Sequence, residues 1–144
     1  MEWLRLRGAG KLVMTDDTDH IRVLIIDNMH SVTTLTEAYL QMQPIIHVLG
    51  STIRAAEAAS YVGDEAPDVI LLGLRDSLRA DVACLRQDFP EAAIILLGLV
   101  DQDRSGVLML SLGVDSYIDK MNLISDLLPE IQKVMDRRIE RHTK

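Results

Sequence analysis

The chain has 144 residues, 48% of them hydrophobic, and a formal net charge of −7 at pH 7. That length and apolar content predict one domain with a core that needs no disulfide or metal. Because phosphate binding requires a concentrated basic face, the acidic balance excludes a nucleic-acid surface spread over the whole molecule.

The cysteine content and the apolar runs predict a cytoplasmic protein. Cys84 is the single cysteine, and its place in a helical pattern with Val82 and Leu85 favours a packed thiol in a reducing compartment. No apolar run approaches the roughly 18 residues that span a bilayer. Arg5 and Arg7 interrupt the first residues, which do not resemble a signal peptide. We therefore expect no membrane segment.

The first 20 residues are expected to be a disordered N-terminal extension. They end in a polar, turn-prone run, and the strand-like Ile21–Ile26 follows directly. The domain is predicted to cover residues 21–136. Residues 137–144 are predicted to form a basic tail or an extension of the last helix.

From residue 21 onward, strand-like and helix-like stretches alternate. Strands are predicted to begin near Val23, Ile45, Val69 and Ile94, and a weaker one near Ser116. The strand starts are separated by roughly twenty residues or slightly more, the length of one βα unit. Apolar helix positions occur in between, namely Val32, Leu35, Tyr39, Leu40, then Ile53, Ala56, Ala59, then Val82 and Leu85, and finally Leu123 to Met135 with Ile139. This pattern predicts a parallel sheet covered by helices on both faces.

Val69–Leu72 is predicted to be the central strand, buried on both faces and ending at Gly73. In open α/β sheets, functional residues lie just past the carboxyl ends of the strands. Gly73 has no side chain that could act as acid, base, nucleophile or ligand. Since no nucleophile and base are paired at the strand ends, we do not expect an enzyme.

Three segments resemble the receiver domain of bacterial two-component response regulators: Val23–Asp27, Pro67–Leu72 and Gly113–Lys120. Together with the order and spacing of the strands, the resemblance covers roughly residues 21–136. It implies an α/β, doubly wound, five-stranded parallel sheet of the flavodoxin-like type. It also implies the strand order 2-1-3-4-5, with helices on both faces.

The resemblance fails at the residues that carry phosphorylation. Active receivers bind magnesium with a pair of acids after the first strand, and the corresponding residues here are Asp27 and Asn28. The aspartate that accepts phosphate corresponds to Gly73, and the hydroxyl residue that ends the fourth strand corresponds to Gly98. The lysine that pairs with the phosphate is present as Lys120. The resemblance therefore implies a pseudo-receiver without a phospho-acceptor.

Physical chemistry gives the same expectation. Magnesium prefers several oxygen ligands, and Asp27 is the only carboxylate predicted at this pocket. Aspartyl phosphorylation needs an in-line carboxylate, a metal ion and a cation, of which Lys120 supplies one. Without phosphate, we expect Lys120 to form a structural ion pair with Asp27. Asp76 lies three residues past Gly73, too late to replace the acceptor. We expect no metal and no cofactor, since the histidines have no metal-ligand spacing.

The aromatic residue that changes rotamer in receivers is present as Tyr117. It is either such a switch or a packed ring with its hydroxyl in water. The helix expected after Asp103 has almost no polar face, which is unusual at a protein surface. We expect an interaction face, used for a homodimer or another protein partner, that contains Val107, Leu108, Leu110, Leu112, Tyr117 and Ile139.

Three functions remain open from the sequence. The first is a non-phosphorylatable signalling domain of a two-component type pathway, acting by protein contact or dimerisation. The second is the receiver half of a transcriptional regulator whose DNA-binding domain is absent, because this chain has no room for a helix-turn-helix. The third is a small-molecule sensor that uses the pocket opened by Gly73 and Gly98.

Overall fold

The computed structural model describes residues 4–7, 11–14, 20–99 and 112–142. Val107, Leu108 and Leu110 of the predicted interaction face lie outside these residues. The strands are β1 (Leu4–Arg7), β2 (Lys11–Met14), β3 (Ile21–Ile26), β4 (Ile46–Thr52), β5 (Val69–Gly73), β6 (Ala93–Gly98) and β7 (Ser116–Asp119). The helices are α1 (His30–Gln41), α2 (Ala58–Val62), α3 (Leu78–Asp88) and α4 (Leu123–His142), with 3-10 turns at Ala55–Glu57 and Lys120–Asn122.

Strands β3 to β7 form one five-stranded sheet in the order β4-β3-β5-β6-β7. All its neighbouring strands pair in parallel. Numbered from β3, this is the order 2-1-3-4-5, so the predicted fold class is confirmed. The prediction that Val69–Leu72 forms the central strand is also confirmed, because β5 lies between β3 and β6.

Successive residues of the central strands face opposite sides of the sheet, as the strand period of two requires. One core layer packs the sheet against α1 and α4, and the other packs it against α2 and α3. The first contains Val23, Ile25, Val69, Leu71, Ile95 and Leu97; the second contains Leu24, Ile26, Ile70, Leu72, Ile94 and Leu96. Both faces are therefore covered, which explains why these strands have continuous apolar runs.

Four of the predicted apolar helix positions are wrong, because Leu35, Ile53, Ala56 and Ala59 are exposed. Leu35 is 51% exposed and Ile53 is 58% exposed. On α1, Thr33 and Thr36 are buried instead, and Thr36 Oγ1 donates a hydrogen bond to Val32 O at 2.7 Å. A threonine whose hydroxyl is bonded to the backbone of its own helix can be buried at little cost.

Residues 4–7 and 11–14 of the predicted disordered extension form two strands, and residues 1–3, 8–10 and 15–19 lie outside the described residues. β1 and β2 pair in an antiparallel hairpin, with Leu4 opposite Met14 and Leu6 opposite Leu12. In each segment every second residue is apolar: Leu4 and Leu6 in β1, and Leu12 and Met14 in β2. Apolar residues at every second position are typical of a strand. Residue 21 remains the predicted start of the domain. None of the helices in the described part of the chain combines the length and apolar character needed to cross a bilayer.

The last helix, α4, continues through residues 137–142, beyond the predicted end of the domain at 136. Its buried positions include Leu127, Ile131 and Val134, all below 2% exposed. Near its end, Arg138 Nη1 donates to the backbone oxygen of Asp68 at 3.0 Å. This bond attaches the end of α4 to the residue immediately before the central strand.

Candidate functional site

The structure brings the predicted pocket residues to one edge of the sheet. Gly73 of β5 pairs with Leu97 of β6, and Gly98 of β6 pairs with Asp119 of β7. Asp27 follows the end of β3, which pairs with β5. Parallel strands that end together place these residues side by side, at the edge where α/β proteins hold their functional groups.

Asp27 and Lys120 form an ion pair at this edge. Lys120 Nζ lies 2.9 Å from Asp27 Oδ2, and the two side chains are 8% and 2% exposed. The other carboxylate oxygen, Asp27 Oδ1, accepts a hydrogen bond from the backbone N–H of Met29 at 2.9 Å. The predicted ion pair is therefore present, and it is withdrawn from water.

The space next to Gly73 is filled by the carboxylate of Asp27. A Cβ atom at Gly73 would lie 2.5 Å from both Cγ and Oδ2 of Asp27. Carbon atoms pack at about 3.5 to 4 Å, so a side chain at this position would displace the carboxylate. Asp27 can pair with Lys120 in this orientation because residue 73 is glycine.

The space next to Gly98 is also filled. A Cβ atom there would lie 3.1 Å from Leu74 Cδ2 and 3.1 Å from Tyr117 Cε1. Neighbouring side chains among the described residues thus occupy the volume directly beside each glycine. The small-molecule sensor hypothesis stays a prediction.

Tyr117 is packed at this edge. Its ring contacts the core layer that α2 and α3 cover, together with Leu74, Leu112 and Val114. Its Oη is buried and has no hydrogen-bond partner among the described residues. The ring is packed, as in the interpretation of Tyr117 as a core residue, but its hydroxyl is buried and not in water as that interpretation expected.

Receiver domains imply a magnesium site, and the residues at this edge do not fit one. Asp27 Oδ2 lies in the ion pair with Lys120 and Oδ1 accepts the Met29 N–H. Gly73 offers no ligand, and Asn28 is exposed. Among the described residues, no group of three or more His, Cys, Asp or Glu side chains could hold a metal ion.

Two further acids lie after β5, Asp76 in the loop and Asp81 on α3. Asp76 is exposed, and Ser77 Oγ donates to Asp81 Oδ2 at 2.9 Å. Arg75 Nε lies 3.4 Å from the same oxygen of Asp81. These groups form a local network at the start of α3, separate from Lys120.

Cys84 lies on α3, half-buried, with Sγ 3.8 Å from Asp88 Oδ2. Partial burial, followed by the negative charge and hydrogen bond of Asp88, raises the pKa of the Cys84 thiol. A raised pKa reduces the thiolate fraction, so this cysteine is not an activated nucleophile.

Three residues of the predicted interaction face are described. Leu112 and Tyr117 are partly buried and pack against the core, whereas Ile139 on α4 is 38% exposed. Sequence reasoning missed Leu74, which follows Gly73 directly and closes one side of the space over Gly98. Its position immediately after a predicted strand end was the signal that could have identified it.

No model of a known protein family matches the sequence. The chain is 28% identical over 120 residues to the response regulator protein VraR of Staphylococcus epidermidis, a match that covers 81% of this chain and 57% of VraR. The chain thus spans a little over half the length of this curated relative.

Solved structures agree with the fold. A CheY-like response regulator receiver domain protein from Methanospirillum hungatei has a TM-score of 0.69 at 21% identity, covering 85% of this chain and 98% of that one. A LuxR-family two-component response regulator from Aurantimonas has a TM-score of 0.72 at 17% identity, covering 83% and 87%. The chain therefore has the fold of these receiver domains, and its sequence is similar to that of the response regulator VraR.

Proposed function

We propose that this chain is a non-phosphorylatable receiver domain that acts in a two-component type pathway by protein contact rather than by catalysis. The observation that carries the proposal is Gly73 at the carboxyl end of the central strand, with the carboxylate of Asp27 in the space beside it. Among the described residues no other carboxylate takes that position, and Asp76 lies in the exposed loop three residues further on.

The electrostatics at this edge support the same proposal. A phosphoryl group carries negative charge that a receiver would balance with metal and lysine. Here the lysine is already paired with Asp27, and both side chains are more than nine-tenths buried. A phosphoryl donor would therefore meet a neutralised edge without an acceptor.

The experiment that tests this proposal is incubation of the whole chain with acetyl phosphate and magnesium, followed by intact-mass spectrometry. We expect no added phosphate. A receiver domain that has an aspartate at the position of Gly73, treated in parallel, serves as the positive control for the reagent. A stable adduct of phosphate mass on Asp27 or Asp76 would overturn the proposal.

A second candidate function follows from the lengths of the proteins compared. The match to VraR covers 57% of that protein, so this chain corresponds in length to part of a longer response regulator. We propose as the alternative that it is the receiver part of a transcriptional regulator whose DNA-binding part is a separate segment. Retention of the chain on DNA by itself, with sequence preference, would contradict this alternative.

A further inference from the structure

We infer that the carboxyl edge of the sheet is held in a single conformation by its own side chains, with Asp27 packed over Gly73 and Tyr117 packed over Gly98. The domain would then present one constant surface to its partner, without a signal-dependent rearrangement. As a statement about signalling this rests on the proposed function; as a statement about conformation it can be tested separately.

The first half of this arrangement is the position of Asp27. Its carboxylate has three constraints: Lys120 Nζ at 2.9 Å, the Met29 N–H at 2.9 Å, and the space left by Gly73. If Asp27 moved away, Lys120 would remain buried, with only 8% of its side chain exposed and no other counter-ion among the described residues. An unpaired buried charge is strongly unfavourable, so the alternative position of Asp27 is disfavoured.

The second half is the position of Tyr117. The Tyr117 ring and the Leu74 side chain both occupy the space where a side chain at Gly98 would lie. Its Oη is buried without a partner among the described residues, which costs free energy that an outward position in water would recover. The inward position is therefore maintained by the packing of the ring against apolar neighbours.

Strand β7 links the two halves. It carries Tyr117 within the strand, and Lys120 follows its last residue, Asp119. Asp119 pairs with Gly98 on β6, and Gly73 of β5 pairs with Leu97, the residue before Gly98 on β6. Tyr117 of β7 therefore packs beside Gly98, while Lys120, which follows β7, pairs with Asp27, the residue that fills the space beside Gly73. A side chain at either glycine would displace one of these contacts.

The test uses the whole chain labelled with 3-fluorotyrosine and observed by fluorine NMR. The chain has three tyrosines, so Tyr117→Phe assigns the Tyr117 line. We expect one narrow line for Tyr117, with little shift between H₂O and D₂O. Tyr61, which is 52% exposed, is the internal control for a solvent-exposed ring. The line should not move when beryllofluoride and magnesium are added.

Gly98→Ala and Gly98→Thr probe the packing directly. Each adds a Cβ atom 3.1 Å from the ring, so we expect the Tyr117 line to split or to acquire the solvent shift of Tyr61. If the threonine variant does not fold, the alanine variant adds only the Cβ and still decides. Ala80→Thr, at an exposed position of α3, is the matched control and should leave the line unchanged.

A broad or doubled Tyr117 line in the unmodified chain would overturn the inference, as would an unchanged line in Gly98→Ala. Mass spectrometry of the acetyl phosphate reaction separates this result from the proposed function. A phosphate adduct with an unmoved Tyr117 line would refute the proposed function and support the fixed edge. An absent adduct with a mobile Tyr117 would do the reverse.

Discussion

Lys120 is a lysine whose charge is almost fully withdrawn from water, with Asp27 as its counter-ion. We predict that Lys120→Met lowers the free energy of unfolding by about 3 to 5 kcal/mol, because it leaves Asp27 buried and unpaired. Urea denaturation at pH 7 measures the loss.

The matched control is the double variant with Asp27→Asn and Lys120→Met. It removes both charges, so its loss should be smaller than that of Lys120→Met alone. If Lys120→Met lowers the free energy of unfolding by less than about 1 kcal/mol, the pair contributes no more than an exposed salt bridge does. That result would contradict the prediction that Asp27 and Lys120 form a buried ion pair.

Cys84 gives a prediction that depends on pH. Its pKa is raised above the ordinary 9.0, first by partial burial and then by Asp88. The neutral thiol is favoured in the folded state, so this contribution to stability is present below pH 9.0 and is lost as the pH rises through the folded pKa. At pH 8, iodoacetamide should alkylate the folded chain more slowly than the urea-unfolded chain, after correction for urea.

Asp88→Asn tests the cause of that shift. Removing the carboxylate should lower the pKa of Cys84 and speed its alkylation at pH 8. An equal rate in the variant and the wild type would assign the whole effect to burial.

At the scale of elements, the end of α4 is attached to the start of β5. Arg138 Nη1 lies 3.0 Å from the backbone oxygen of Asp68 and 3.6 Å from its Oδ1. The same carboxylate accepts the backbone N–H of Arg22 through Oδ2 at 2.8 Å. Asp68 thus joins three elements, the first strand of the sheet, the central strand and the last helix.

We predict that Arg138→Gln lowers the free energy of unfolding by about 1 to 3 kcal/mol. The substitution removes the charged group that contacts both the backbone oxygen and the carboxylate of Asp68. Hydrogen exchange of residues 136–142 should become faster. Arg137→Gln is the control, because Arg137 is exposed and its Nη2 donates to Asp115 O at 3.1 Å, outside the Asp68 contacts. Equal exchange rates in the two variants would contradict an anchoring role for Arg138.

At the scale of the whole molecule, the prediction concerns self-association. Ile139 is 38% exposed near the end of α4, beside Arg137 and Arg138, in a chain whose net charge is −7. An acidic body with a basic end can form complementary contacts across a two-fold axis. We therefore predict a homodimer through the face that the sequence indicated.

Light scattering after size exclusion measures this prediction. Leu108→Glu and Ile139→Glu should each shift the chain toward monomer, because a buried carboxylate in the interface is unfavourable. Leu35→Glu alters another exposed apolar residue, on α1, and should leave the oligomeric state unchanged. A monomeric wild type, or folded variants that remain dimers, would contradict the predicted interface.

Much of this fold could be predicted from the sequence, because it depends on local patterns. The run Val69–Leu72 between Pro67 and Gly73 indicated a strand buried on both faces, and the regular spacing of such runs indicated a parallel sheet. The position of the candidate site followed from the same patterns, since the residues after each strand end must meet at one edge. Even the ion pair of Asp27 with Lys120 could be predicted from that placement.

The contents of the space beside the glycines were decided by the tertiary structure alone. The sequence shows that Gly73 and Gly98 lack side chains, but not that Asp27, Leu74 and Tyr117 fill those volumes. Which rotamer a side chain adopts depends on neighbours brought from distant parts of the chain by packing. The same holds for Leu35, which the helical pattern placed in the core and the docking of α1 left in solvent. Periodicity identifies which face of an element is apolar on average, whereas the close contacts that close this edge depend on how the elements pack together.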